Sequence, residues 1–72
     1  MRRAILEALR ARYEAEIAEA DATANIYLEN SVGIGEHTQQ IEELNKLIHK
    51  IANAKEKLEV LDEFEPEKGT TL

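Results

Sequence analysis

The fold of this chain is decided by seven residues near its middle: Ser31-Val32-Gly33-Ile34-Gly35-Glu36-His37. They include two of the three glycines. Glycine accepts positive φ and loses more backbone entropy than other residues when it is held in a helix. No glycine or proline lies between residues 2 and 30 or between residues 38 and 65. The sequence therefore predicts a first helix over 2–30, a loop over 31–37 and a second helix over 38–64, which Thr38 caps through its hydroxyl.

Each predicted helix carries one apolar stripe whose members are three or four residues apart, a spacing that places them on one face. The first stripe consists of Leu6, Leu9, Tyr13, Ile17, Ala20, Ala24 and Leu28. The second consists of Ile41, Leu44, Leu47, Ile48, Ile51, Ala54, Leu58 and Leu61. Two helices of matched length joined by a short loop predict an all-α fold, an antiparallel two-helix coiled-coil hairpin over residues 1–64. Residues 65–72 have no periodicity and are predicted to form a flexible tail.

The distribution of charge supports the antiparallel arrangement. The first twelve residues are net positive through Arg2, Arg3, Arg10 and Arg12. The segment that an antiparallel hairpin places beside them is acidic through Glu56, Glu59, Asp62, Glu63, Glu65 and Glu67. Exposed ion pairs contribute only about 0–1 kcal/mol each, but together they favour antiparallel over parallel packing.

A second row of small residues on the first helix indicates self-association. It lies nearly opposite the first stripe and consists of Ala4, Ala8, Ala11, Ala15, Ala18 and Ala22. One interpretation is that alanine, the best helix former, fills a face turned to solvent. The interpretation favoured here is a close contact between copies, because no charge interrupts the row. We name these six residues the alanine face and expect a four-helix-bundle dimer or a higher oligomer.

Composition excludes several classes of function. The 72 residues contain no cysteine, so disulfides, thiolate metal sites and thiol catalysis are excluded. The formal net charge of −6 argues against non-specific binding to nucleic acid or to anionic lipid. No apolar run approaches the roughly 18 residues of a membrane span, and the arginine-led start lacks the apolar stretch of a signal peptide. The sequence therefore predicts a soluble, intracellular protein that is not secreted.

Neither catalysis nor metal binding is expected. A two-helix hairpin offers no deep pocket in which to desolvate a nucleophile and its base, so no catalytic residue is assigned. Glu36 and His37 are adjacent and His49 lies on the other helix face, so no two of them have the i, i+3 or i, i+4 spacing of metal ligands. Glu42 and Glu43 are adjacent and cannot both face one ion. The sequence predicts a protein that is not an enzyme and holds no metal and no cofactor.

The loop is the segment in which a ligand site is expected. A helix N-terminus has backbone N–H groups that the helix itself does not pair, and nearby glycines let an anion approach them. The residues assigned to this site are Gly33, Gly35, His37 and Thr38. Pairing along the alanine face would add Arg2 and Arg3 from a second chain. The alternative is a rigid turn in which Val32 and Ile34 close the end of the hairpin.

Residues 25–37 and 54–61 resemble a group of small proteins from tailed phages, mainly marine and T4-like ones. Those proteins typically carry the loop Pro-Val-Gly-Ile-Gly-Glu-His-Pro and a second helix that ends in Glu-Lys-Leu-x-x-Leu. The likeness covers roughly residues 10–64, and the run from Val32 to His37 matches unchanged. This chain departs from the pattern at Ser31 and Thr38, where the group has proline. The resemblance implies a phage origin and a hairpin shape, but it implies no activity.

Together these features predict a phage accessory protein that acts by binding in the host cytoplasm. It would self-associate and bind or sequester a host or defence component, either a protein or a small anionic ligand resembling a nucleotide. The 32–38 loop is the expected contact. The alternative is a structural component of the virion or of its assembly.

Overall fold

A computed structural model of the chain consists of two α-helices, α1 (Arg2–Glu29) and α2 (His37–Asp62). The structure describes residues 1–29 and 37–65, and for residues 37 and 38 it describes only the backbone. Within these ranges there is no strand. The Arg10 side chain contacts Asp62, so the start of α1 lies beside the end of α2. The prediction of an all-α antiparallel hairpin is therefore confirmed, while residues 31–36 of the predicted loop (31–37) and residues 66–72 of the predicted tail (65–72) lie outside the described residues.

The helix ends differ from the predicted ones by one or two residues. α1 ends one residue early, and α2 begins one residue early, so Thr38 lies within the first turn of α2 rather than ahead of it as a cap. α2 ends at Asp62 instead of residue 64. Beyond it the chain tightens into i→i−3 bonds, in which the Phe64 N–H donates to Leu61 O at 2.9 Å and the Glu65 N–H donates to Asp62 O at 3.1 Å. Such a tight turn is a common way to finish a helix.

The core of the hairpin is thin. Within the described residues, only Ala20, Ala54 and Leu61 are buried, with exposed fractions of 2%, 1% and 5%. Around them runs a half-buried seam, which on α2 follows a strict seven-residue repeat: Gln40, Leu44, Leu47, Ile51, Ala54, Leu58, Leu61 and Glu65. This is the heptad spacing of a coiled coil. Two of the three buried residues are alanines. Their small side chains allow close packing of the helices but bury little apolar area.

Three residues that the sequence placed in the stripes lie outside the seam. Ile41 and Ile48 are 67% and 60% exposed, and Leu28 is also exposed. The seam of a coiled coil advances by 3.5 residues per turn, whereas the face of a straight helix advances by 3.6, so the two drift apart along the chain. The heptad of α1 therefore reaches the half-buried Tyr27 rather than Leu28. On α2 the difference is one of phase, because Ile41 and Ile48 each lie one residue after a seam position, Gln40 and Leu47.

Candidate binding surfaces

The alanine face lies on the side of α1 away from α2. All six of its residues are exposed, whereas Ala20 is buried and Ala24 is half-buried against the second helix. The structure thus brings the six alanines together on one outward surface. No second chain is present to contact it, so the assignment of these residues to an oligomer interface stays a prediction.

The residues assigned to an anion site at the loop are not brought together within one chain. Gly33 and Gly35 lie outside the described residues, as do the side chains of His37 and Thr38. Arg2 and Arg3 lie at the opposite end of the hairpin. There Arg2 Nη2 donates to Phe64 O at 2.7 Å. Arg3 Nε donates to Glu7 Oε2 at 3.2 Å, within α1. A shared site would need a second chain, and it stays a prediction.

An apolar groove that sequence reasoning missed lies between the helices at the end of the hairpin where the chain begins. Its volume is about 440 Å³, and its lining consists of Leu6, Leu9, Tyr13, Glu56, Lys57, Val60, Leu61 and Phe64. Val60 and Phe64 are exposed there, at 46% and 52%. Val60 and Phe64 follow Lys57 at spacings of three and four, beside the predicted stripe. That spacing is the sequence signal that could have revealed the groove.

A cation–π contact holds a lysine at the edge of the groove. Lys57 Nζ lies 5.3 Å from the centroid of the Tyr13 ring. An ammonium over the face of a tyrosine is attracted by the negative potential of the ring. This contact joins α1 to α2 and holds the Lys57 head group at the edge of the groove.

A cluster of one arginine and two carboxylates closes the same end of the hairpin. Arg10 Nη2 donates to Asp62 Oδ1 at 2.6 Å and to Glu65 Oε1 at 2.9 Å. The hydrogen bond to Asp62 and then the one to Glu65 raise the pKa of Arg10 above its ordinary value. The side chains of Arg10 and Glu65 are only 22% and 16% exposed. Glu65, which the sequence placed in the flexible tail, is therefore held against α1, because an arginine lies within reach of its carboxylate.

Replacing Arg10 by alanine should lower the melting temperature by several degrees, because it leaves the half-buried Glu65 carboxylate without its partner. The matched control is Lys55→Ala, since Lys55 is exposed and forms no ion pair within the described residues. Because the pKa of Arg10 is raised, the stability that its charge contributes is present at neutral pH and is lost as the pH rises through that raised pKa. Thermal denaturation followed by circular dichroism checks this, and equal losses for the two variants would contradict it.

Within residues 1–29 and 37–65, no three His, Asp or Glu side chains come close enough together to hold a metal ion. Neither described helix is both long enough and apolar enough to cross a membrane. The Thr23 hydroxyl donates a hydrogen bond to the Glu19 carbonyl one turn earlier, at 2.9 Å. This is a common local contact of threonine in helices.

No family model, curated protein or solved structure matches this chain. The resemblance to small phage proteins therefore stays a prediction that rests on residues 25–37 and 54–61.

Proposed function

We propose that this chain is a non-enzymatic phage accessory protein that self-associates and acts by binding. The observation that carries the proposal is the imbalance of its apolar residues. In the described part of the chain three residues are buried, whereas eight large apolar side chains are exposed: Met1, Ile5, Ile26, Leu28, Ile41, Ile48, Val60 and Phe64. Isolated hairpins of this size have little core, and exposed apolar surface on this scale marks contacts with other molecules.

The component that it binds is a host or defence protein, or a small anionic ligand resembling a nucleotide. The 32–38 loop is the proposed contact for the ligand. Because α2 begins at His37, the unpaired N–H groups of its first turn lie directly after Gly33 and Gly35 in the chain.

A structural role in the virion is the second candidate. It is favoured by the spread of exposed apolar side chains along the whole hairpin, with Ile26, Ile41 and Ile48 in the loop half and Val60 and Phe64 in the other half. A component surrounded by other coat or tail proteins would have both halves covered.

The pure protein should sediment with at least twice the mass of one chain, and adding host lysate should increase that mass if a host protein is the target. Retention of a labelled nucleotide by the pure protein would support sequestration of an anionic ligand instead. Recovery of the chain from washed virions, with no added partner from lysate and no retained nucleotide, would favour the structural role. A monomeric mass at every concentration tested would contradict self-association.

A further inference from the structure

The groove belongs to a longer surface that follows one side of the hairpin. On α1 this surface is a row with spacings of three and four: Arg2, Ile5, Leu9, Arg12, Glu16 and Glu19. On α2 the corresponding row is Lys46, Lys50, Asn53, Lys57, Val60 and Phe64. These spacings keep each row on one side of its helix, next to the seam. Because Leu9, Lys57, Val60 and Phe64 line the groove, both rows lie on its side, and we name this surface the groove face.

We propose that the groove face is covered by a second copy of this chain, related to the first by a two-fold axis parallel to the helices. This inference rests on the self-association proposed above and names its surface. Such an axis stacks α1 of each copy on α2 of the other, and it brings the two grooves together at the same end. The product is a four-helix bundle with an isologous interface.

The apolar ends of the two rows match in this arrangement. The Tyr13–Lys57 and Arg10–Asp62 contacts show which residues of α1 and α2 lie at the same level along the hairpin. Because the axis is parallel to the helices, it preserves those levels between copies. Ile5 then lies at the level of the partner's Phe64, and Leu9 at the level of the partner's Val60. Three of these four side chains are about half exposed in one hairpin and would be covered in the dimer.

The charged halves of the two rows are also complementary. Glu16 and Glu19 on α1 lie at the level of the α2 segment that carries Lys50. Within the described residues none of these three side chains forms an ion pair in its own hairpin. Stacking α1 on the partner's α2 places the carboxylate of Glu19 opposite the ammonium of Lys50 twice in each dimer. A perpendicular axis would instead lay the apolar groove over the charged half, which leaves the groove partly exposed.

Arg12 lies between the apolar and the charged parts of the groove face. In the proposed dimer it lies at the level of the partner's Glu56 and the partner's Lys57. The ammonium of Lys57 is already held over the Tyr13 ring, so the Glu56 carboxylate is the available neighbour for the guanidinium. The register of the two copies is therefore set by apolar contacts in the groove half of the interface and by charge pairs in the other half.

The test uses two double variants. The first carries both Val60→Gln and Phe64→Gln, and the matched control carries both Ile41→Gln and Ile48→Gln. All four side chains lie on or just beyond α2 and are exposed in one hairpin, so neither double change should unfold it. In sedimentation equilibrium the first pair should raise the dissociation constant of the dimer at least about tenfold. The second pair should leave it unchanged. Circular dichroism should show the parent's helix content in both.

A third double variant carries both Ala11→Glu and Ala15→Glu, which place charge on the alanine face. The groove-face dimer predicts the parent's mass for this variant. If it dissociates while the Val60/Phe64 variant keeps the parent's mass, the alanine face carries the contact, and the groove-face inference fails while self-association stands. A parent that is monomeric at all concentrations overturns both.

The orientation of the copies is tested by reversing one charge pair. Glu19→Lys alone and Lys50→Glu alone should each weaken the dimer by about three- to tenfold, because each like-charge contact occurs twice in the interface. The double variant should recover most of the parent's affinity. A double variant that is no tighter than either single one would overturn the parallel axis.

Discussion

Replacing Leu61 by alanine should lower the free energy of unfolding by about 2–5 kcal/mol, the usual cost of truncating a large buried side chain. Leu61 is the one large side chain among the buried residues of the described chain, since the other two are alanines. In a folded unit this small, that loss is a large share of the total stability.

The matched control for this change is Ile48→Ala, on the same helix, 60% exposed and outside the groove face. It should cost clearly less than the change at Leu61 when both are measured by urea denaturation. One fixed protein concentration must be used throughout, because the stability of a self-associating protein depends on concentration. Equal losses at the two positions would mean that Leu61 is no more buried than Ile48 in solution.

Enlarging Ala54 to leucine should destabilise the hairpin by about 1–3 kcal/mol, because the larger side chain overpacks the seam. Ala54 is 1% exposed and lies in the heptad seam of α2, so a longer side chain there must push α1 away or adopt a strained rotamer. The change also interrupts the seam near its middle, between Ile51 and Leu58. Loss of helix content at 37 °C and a lower urea midpoint are the expected results.

Ala52→Leu supplies the control for the enlargement, because Ala52 lies on the exposed side of the same helix. Alanine and leucine have similar helix propensity, so this variant should differ from the parent by less than about 0.5 kcal/mol. A stabilised Ala54→Leu variant would show that the seam at that level holds unfilled space.

The fold could be predicted from the sequence because its signals are local. Two glycines within residues 31–37 end one helix and precede the next, and the stripes on either side are long enough to define a face. The errors came from the period of the seam on α1 and from its phase on α2. A face read at 3.6 residues per turn on α1 reaches Leu28, whereas the heptad reaches Tyr27. On α2 Ile41 and Ile48 fit the heptad period, but each lies one residue after a seam position.

The candidate surfaces were less predictable, because they depend on how the two helices sit together. The groove combines Leu9 of α1 with Val60 and Phe64 of α2, residues about fifty positions apart in the chain. Its existence follows only once the register of the hairpin is known. The position of Glu65 likewise depends on the register. Glu65 follows the last stripe residue, so the sequence predicts that it belongs to the tail, but its carboxylate accepts a hydrogen bond from Arg10 of the other helix.

Because the helices are antiparallel, the molecule has two ends, or poles, that are built from different parts of the chain. The contacts of Arg2 with Phe64 and of Arg10 with Glu65 hold residue 1 and residue 65 at one pole. α1 ends and α2 begins at the other pole, about 40 Å away for helices of this length. The hairpin is thus a spacer of fixed reach. A fluorophore attached at residue 1 would lie at the same pole as the groove and leave the far pole clear.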